Sequence, residues 1–232
     1  MKYLRLTDGI DINLMRSILE LAQANVPELA WFPIGEDSPL RGLALAQITE
    51  HLGDSLQYVG NPINIPVSPS KVYRGFVEVI IAMDDTNDDR LAGFIQYKPR
   101  LPVGNSCSIG YLTVDAEYRG RGVLRGMVEL LTQHYPAVGL DCALQLVGLY
   151  ENLGFKVVKA QGCHVAMETL PLTGSSWNMG EEILNARPSI QRAKEAIRDK
   201  LGKNTRQAYE KRDADMRAAA AEVAEFLKLR GL

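Results

Sequence analysis

Arg119-Gly120-Arg121-Gly122-Val123-Leu124-Arg125-Gly126 sits between two runs of different period. Before it, Ile109, Tyr111, Leu112 and Val114 give residues 107–115 the apolar character of a half-buried or fully buried strand. After it, Met127, Val128, Leu130 and Leu131 carry the spacing of a helix, predicted over about 122–134. A glycine-rich turn feeding a helix is an anion site by construction. The first N–H groups of the helix have no carbonyl to bond, the positive end of its dipole lies there, and glycines let a phosphate come close. A short strand near 137–142 and a helix over 143–153 follow, ending in Leu149-Tyr150-Glu151-Asn152-Leu153-Gly154-Phe155.

These residues resemble the acyl-CoA-dependent N-acyltransferases of the GNAT superfamily. The family signature, Gln/Arg-x-x-Gly-x-Gly/Ala after the fourth strand, falls on Arg119, Gly122 and Leu124. The Leu-Tyr-x-x-x-Gly-Phe ending of a later helix is matched by Leu149, Tyr150, Gly154 and Phe155. An Arg/Gln-x-x-Gly match recurs by chance; the strand before it, the helix after it and the Tyr-Gly-Phe element give it weight. The layout extends over roughly residues 1–170, the specific motifs only over about 112–155. Two positions depart from the pattern. Leu124 stands where Gly or Ala is usual, so its side chain must turn away from a pyrophosphate or crowd it, and Ala143 replaces an asparagine common seven residues before the tyrosine.

The composition is that of an ordinary globular chain: 232 residues, 46% hydrophobic, 23% charged, net charge −2. That charge gives no global attraction to nucleic acid or anionic membrane. No apolar run approaches the roughly 20 residues a membrane span needs, and Met1-Lys2-Tyr3-Leu4-Arg5 lacks the apolar centre of a signal peptide. Cys107, Cys142 and Cys163 lack metal-ligand spacing, so reduced thiols, no metal and a cytoplasmic location are expected.

The element order read along the chain is strand 2–6, a helix capped by Asp11 and ending before Pro27, and a second helix opened by Pro39 and stopped by Gly53. Residues 59–70, rich in proline, read as an irregular loop. One strong strand over 72–83 joins through the acidic turn 84–89 to a strand over 91–98, and late strands are expected near 155–160 and 163–169. With the resemblance, this order implies an α+β (mixed α/β) fold: a GNAT-like splayed mixed sheet flanked by helices over 1–171. Residues 172–232 are a turn-rich linker and a helical extension. Its narrow seams, Ile190/Ala193/Ile197/Leu201 and Tyr209/Met216/Ala220/Val223/Leu227, suit either a hairpin folded on its own domain or an oligomer or assembly contact, with no cofactor role. The extension is only mildly basic and has little aromatic interleaving, which argues against nucleic acid.

Acyl transfer from a thioester to an amine needs a held donor, a deprotonated amine, a stabilised oxyanion and a proton for the thiolate. The resemblance implies acetyl-CoA as donor, with acetyl the commonest acyl group. The backbone amides of Arg119, Gly120, Arg121, Gly122, Val123, Leu124 and Arg125 form the pyrophosphate cradle, and Leu112 and Val114 offer strand groups to the pantetheine arm. The side chains of Arg119, Arg121 and Arg125 are candidates for phosphate contact, set against plain surface charge. Tyr150 occupies the position of the general acid, a phenol matched to a thiolate of similar basicity. For the base, Glu78 within the strong strand and Glu117 before the turn compete with a water relay. His51 and His134 read as helix-end residues and His164 as part of a late strand, with no Cys/His/Asp constellation among them. The expected activity is acetyl-CoA-dependent N-acetylation of a primary amine, by direct attack in a ternary complex. The alternative is a catalytically weak or inactive GNAT-fold protein acting through its C-terminal helices. The acidic turn 84–89 reads as a solvated hairpin tip, and no motif identifies the acceptor.

Overall fold

The computed structural model describes residues 1–68, 70–178 and 180–232. Strand β1 (Lys2–Leu6) leads into helices α1 (Ile12–Ala24), α2 (Val26–Leu29) and α3 (Arg41–Leu56). Then come β2 (Ile63–Ser68), β3 (Lys71–Gly75), β4 (Glu78–Asp84), β5 (Arg90–Pro99), β6 (Ser106–Val114), α4 (Val123–His134), β7 (Ala137–Cys142), α5 (Val147–Glu151), β8 (Lys156–Gln161) and β9 (His164–Glu168). The chain closes with α6 (Glu181–Asn185), α7 (Pro188–Leu201) and α8 (Thr205–Leu229). Seven strands form one sheet in the order β1-β4-β5-β6-β7-β9-β8, antiparallel except for the β6/β7 pair. This is the splayed mixed sheet flanked by helices that the sequence implies.

Side chains alternate along the strands and build a core on each face. In β4, Val79 and Ile81 join Ile18, Leu43, Leu52 and Phe94 on the side of α1 and α3. Ile80 and Ala82 join Met127, Leu131, Val138 and Val165 on the side of α4. Asp11 caps α1, its carboxylate accepting from the N–H groups of Asn13 (2.6 Å) and Leu14 (3.3 Å).

Several boundaries differ from the sequence reading, each for a packing reason. Gly53 does not stop α3, which continues to Leu56; burial of Leu52 and Leu56 in the core outweighs the ~1 kcal/mol helix cost of glycine. The expected loop 59–70 contains β2, paired antiparallel with β3 in a ribbon outside the main sheet, where Pro66 is tolerated. Pro69, within that span, lies outside the described residues. The single strand expected over 72–83 is therefore two strands, β3 and β4. Gly75 ends β3 beneath the Trp177 ring, where a β-carbon would come within 2.9 Å of it. The helix expected over 143–153 is a short 3-10 turn, Leu144–Leu146, followed by α5.

The extension folds back on the rest of the chain. Ile190 and Ile197 of α7 are buried in the α1/α3 core, and Val223 and Leu227 of α8 in the α4 core. Arg187 pairs with Asp54 at 2.7 Å, and Ser189 donates to Glu50. Met179, in the linker expected over 173–180, is outside the described residues. No helix among the described residues is long and apolar enough to cross a membrane.

Candidate active site

The site is created by a failure of pairing. β6 runs alongside β5 from Cys107 to Val114, but it pairs with β7 only where Ser106, Cys107 and Ser108 face Ala137, Val138 and Gly139. Beyond Ser108 the two strands part, leaving the later backbone groups of β6 without a strand on that side. Gly110 bulges at the parting: Ile109 faces Tyr97 and Tyr111 faces Gln96, so Gly110 has no opposite residue. A side chain there would run into the Gln96 carboxamide.

The glycine turn closes one end of this gap. Gly120 (φ 74°) and Gly122 (φ 80°) adopt the left-handed conformation, which L side chains rarely tolerate. Gly122 caps α4 and has no side chain to satisfy the helix, and the first internal bond runs from the N–H of Gly126 to the carbonyl of Gly122. The N–H groups of Val123, Leu124 and Arg125 therefore point out of the helix end unpaired. A β-carbon built on Gly120 or Gly122 meets nothing within 4 Å, so the space before these N–H groups is open. An anionic group fits this cradle.

A cleft of about 1130 Å³ runs from the turn through the gap. Leu112, Thr113 and Val114 of β6 line it, as do Leu124, Ala143 and Tyr150. Tyr150 is buried, stacks edge-on against Phe155 at 5.7 Å, and its hydroxyl makes no hydrogen bond among the described residues. Burial, with Cys142 and Glu28 adding to it, pushes its phenol well above the usual value, so it is held protonated. The Thr113 hydroxyl is buried with no partner among the described residues. Leu124 packs on the α4 core while still bordering the cleft. The wall opposite belongs to the extension, through Asp215, Ala218, Ala219 and Glu222 of α8. Residue order alone gives α8 no part in the site, and only the tertiary packing reveals it.

Not every charged candidate is free to meet a ligand in the cleft. The Arg119 guanidinium is consumed by protein: it donates to Glu28 at 2.7 and 3.0 Å, to Asn25 at 2.6 Å and to the Val114 carbonyl at 3.1 Å. It ties the turn to α2. Arg125 lines the cleft and donates to the Asn152 carbonyl at 3.1 Å, while Arg121 lies over the Tyr118 ring at 5.5 Å with no ion pair among the described residues. Glu78 is buried on the α4 side, outside the cleft lining. Its carboxylate accepts from Arg5 at 2.8 Å, Tyr97 at 2.6 Å and Tyr135 at 3.2 Å. Glu117 is held by Arg90 at 2.6 Å, outside the cleft. Neither carboxylate is placed to meet an amine in the gap.

The histidines separate once folded. His134 ends α4 in the position that complements the dipole. His51 lies inside α3, not at its end; its Nδ1 is 3.0 Å from the Tyr111 hydroxyl, and burial lowers its pKa to about 4. His164 borders the cleft with Cys163, the two side chains 3.7 Å apart, and Asp141 stands close enough to couple to the imidazole. Cys163 and His164 are sequence neighbours, and the Asp141 charge reaches the imidazole only because β7 and β9 pair. Among the described residues no group of His, Cys, Asp or Glu is arranged to hold a metal ion.

A strand gap fronted by an uncapped helix N-terminus is an architecture for holding an extended, phosphate-bearing ligand. The Acetyltransferase (GNAT) family model matches residues 65–155, the part of the chain that carries the gap, the glycine turn and Tyr150. No curated protein matches the chain. Similar solved structures include an aminoglycoside 6'-N-acetyltransferase complexed with coenzyme A (14% identity, TM-score 0.47, 75% of this chain and 99% of that one). Another is a histone acetyltransferase HPA2-related acetyltransferase from Corynebacterium glutamicum (16%, 0.47, 76% and 100%). A third is an acyl-CoA N-acyltransferase from Pseudomonas aeruginosa (13%, 0.46, 73% and 100%).

Proposed function

We propose that this protein is an acetyl-CoA-dependent N-acyltransferase that moves the acetyl group to a primary amine by direct attack in a ternary complex. The observation that carries this reading is the open cleft joining the unpaired N–H groups of Val123, Leu124 and Arg125 to the protonated Tyr150 through the β6/β7 gap. The backbone from Arg119 to Arg125 holds the pyrophosphate, and the freed edge of β6 at Leu112 and Val114 guides the pantetheine arm. Unpaired backbone N–H groups on that edge meet the charge that grows on the thioester oxygen. Tyr150 supplies the proton that the departing sulfur takes up.

The reading of a weakly catalytic assembly protein draws on one observation, the bulky Leu124 at the border of the cleft. Against it, the apolar seams that would hold a partner are spent on the chain's own cores through Ile190, Ile197, Val223 and Leu227. The test is calorimetric titration with acetyl-CoA, with Gly122→Trp as the blocked control. Thiol release is then followed with spermidine, kanamycin and a lysine-containing peptide as probe amines. Micromolar binding lost in the control, with amine-dependent thiol release, supports the enzyme. Binding without release, unrelieved in Leu124→Gly, supports the assembly protein, and a folded protein that does not bind acetyl-CoA refutes both uses of the cleft.

A further inference from the structure

His164 opens β9 at the wall of the cleft, and strand pairing puts Asp141 behind it. Asp141 of β7 faces Ala166 of β9, so His164, two residues away on the same antiparallel strand, is its diagonal neighbour on one sheet face. Val165 and Met167 point into the α4 core, as do Val138, Leu140 and Cys142, which turns His164 and Asp141 to the opposite face. Tyr150 belongs to the α4 core. The cleft is thus bordered by an imidazole from one face of the sheet and a phenol from the other. His164 Nδ1 lies 3.7 Å from Cys163 Sγ, and Nε2 has no hydrogen-bond partner among the described residues.

The electrostatics agree with this placement. Burial lowers the pKa of His164 below its ordinary 6.5, with Asp141 opposing, so the ring is neutral at pH 7 and ready to accept a proton. Asp141 has an exposed side chain, and partial desolvation at its sheet face raises its carboxyl, with His164 and Lys159 of β8 opposing. Cys163 contacts the Trp31 carbonyl at 3.5 Å, and burial raises its thiol, which leaves it a poor nucleophile. Asp215 and Glu222 of α8 border the same cleft.

We infer that His164 is the general base of the acyl transfer, with the Asp141 carboxylate as the nearby charge that favours its imidazolium. The inference rests on the acyltransferase reading above. In the step, the amine nitrogen attacks the thioester carbonyl carbon and the C–N bond forms. The proton leaving nitrogen passes to His164 Nε2. The C–S bond breaks, its electron pair stays on sulfur, and the Tyr150 hydroxyl protonates that sulfur. The imidazolium releases its proton to solvent and Tyr150 regains one, so amine and thioester have become amide and thiol.

Thiol release from acetyl-CoA with the same three probe amines, measured against pH on the full-length protein, tests the assignment. His164→Gln is expected to lower kcat/KM about 100-fold or more. Acetyl-CoA affinity should stay within about threefold, and the acid limb below pH 6.5 should disappear. Asp141→Asn removes a charge that favours the imidazolium, so its limb moves to lower pH. In the wild type, the His164 imidazole resonances should shift when acetyl-CoA saturates the cleft. Unchanged turnover and pH profile in His164→Gln overturn the inference alone. So do His164 resonances indifferent to acetyl-CoA, or acetyl transferred to Cys163 without amine; these two readings decide the matter even if His164→Gln fails to fold. A wild type that binds no acetyl-CoA, or releases no thiol with any probe amine, overturns the acyltransferase reading and this inference with it.

Discussion

Replacing Gly122 by alanine and by tryptophan separates two properties that the turn combines. Gly122 sits at φ 80° and ψ 2°, where an L residue costs about 1–2 kcal/mol because its β-carbon crowds its own carbonyl. A domain of this size loses about 2–4 °C of Tm per kcal/mol, so Gly122→Ala should melt about 2–8 °C lower. The space before it is open and a methyl group covers none of the N–H groups of Val123, Leu124 and Arg125, so acetyl-CoA affinity should stay within about threefold. An indole in the same space covers them. Hydrogen bonds from N–H to a charged phosphate contribute about 1.5–3 kcal/mol each, so losing two costs at least about 3 kcal/mol, a fall in affinity beyond 100-fold. Thermal melting and calorimetry on the same three proteins give both numbers. Wild-type affinity in Gly122→Trp would show that the phosphates are not held at this helix end, and an unchanged Tm in Gly122→Ala would show that the left-handed turn carries no such cost.

Two buried bases predict how stability depends on pH. Burial lowers the Lys98 pKa to about 8, with Asp54 opposing; its Nζ is 3.1 Å from Asn178 Oδ1 and 4.8 Å from the Trp177 ring. Below pH 8 the folded protein carries an ammonium that the unfolded chain solvates better, and stability rises with pH between 8 and 10.5 because the unfolded chain binds more protons there. Lys98→Met should therefore gain at neutral pH, by up to about 3 kcal/mol before lost contacts are deducted, and the gain should vanish near pH 10.5. A gain that is flat with pH would refute this. His51, at about 4, makes the opposite end sensitive: stability is lost as pH falls from 6.5 toward 4, by about 3 kcal/mol at most. His51→Gln can keep the bond to Tyr111 while removing that slope; denaturant melts at pH 4.5 and 7 measure the difference, and an undiminished slope would assign it elsewhere.

The sheet was legible in the sequence wherever apolar period and turn chemistry agreed, as at β5, β6, α4 and the acidic hairpin 84–89. It was not legible where tertiary contact overrules local preference. Prolines 62 and 66 read as loop, yet Ile63, Ile65 and Tyr73 pack on the α1/α3 core and hold the β2/β3 ribbon in place. The candidate site divides the same way. Its backbone half, the glycine turn and the strand before it, follows from residue order, whereas the Gly110 bulge is set by the β5/β6 register. Its side-chain half depends on which distant residues meet. Asp141 beside His164 is a product of the β7/β9 register, and α8 at the cleft wall is a product of where Val223 and Leu227 bury themselves. A carboxylate in an apolar strand such as Glu78 needs either a cleft or partners, and here the partners are Arg5, Tyr97 and Tyr135.

Arg119 shows how a motif residue can act without touching the ligand its motif suggests. Its donors are directed at Glu28, Asn25 and the Val114 carbonyl, so a phosphate would have to displace these acceptors to reach it. The pair with Glu28 is about half exposed and contributes about 1 kcal/mol or less by itself. Its larger effect is to fix α2, whose Pro27 and Glu28 border the cleft, against the end of β6. Arg119→Ala should then lower Tm by a few degrees, change acetyl-CoA affinity less than about threefold and raise KM for the amine. Combined with Glu28→Gln, the two losses should overlap rather than add, because either change breaks the same tie. A phosphate contact predicts something else: affinity for acetyl-CoA would rise in Glu28→Gln as the guanidinium is freed, and Arg119→Ala would lose tenfold or more at unchanged Tm. Calorimetry and melting on the four proteins of the cycle distinguish the two, and the second pattern would return Arg119 to the phosphate site.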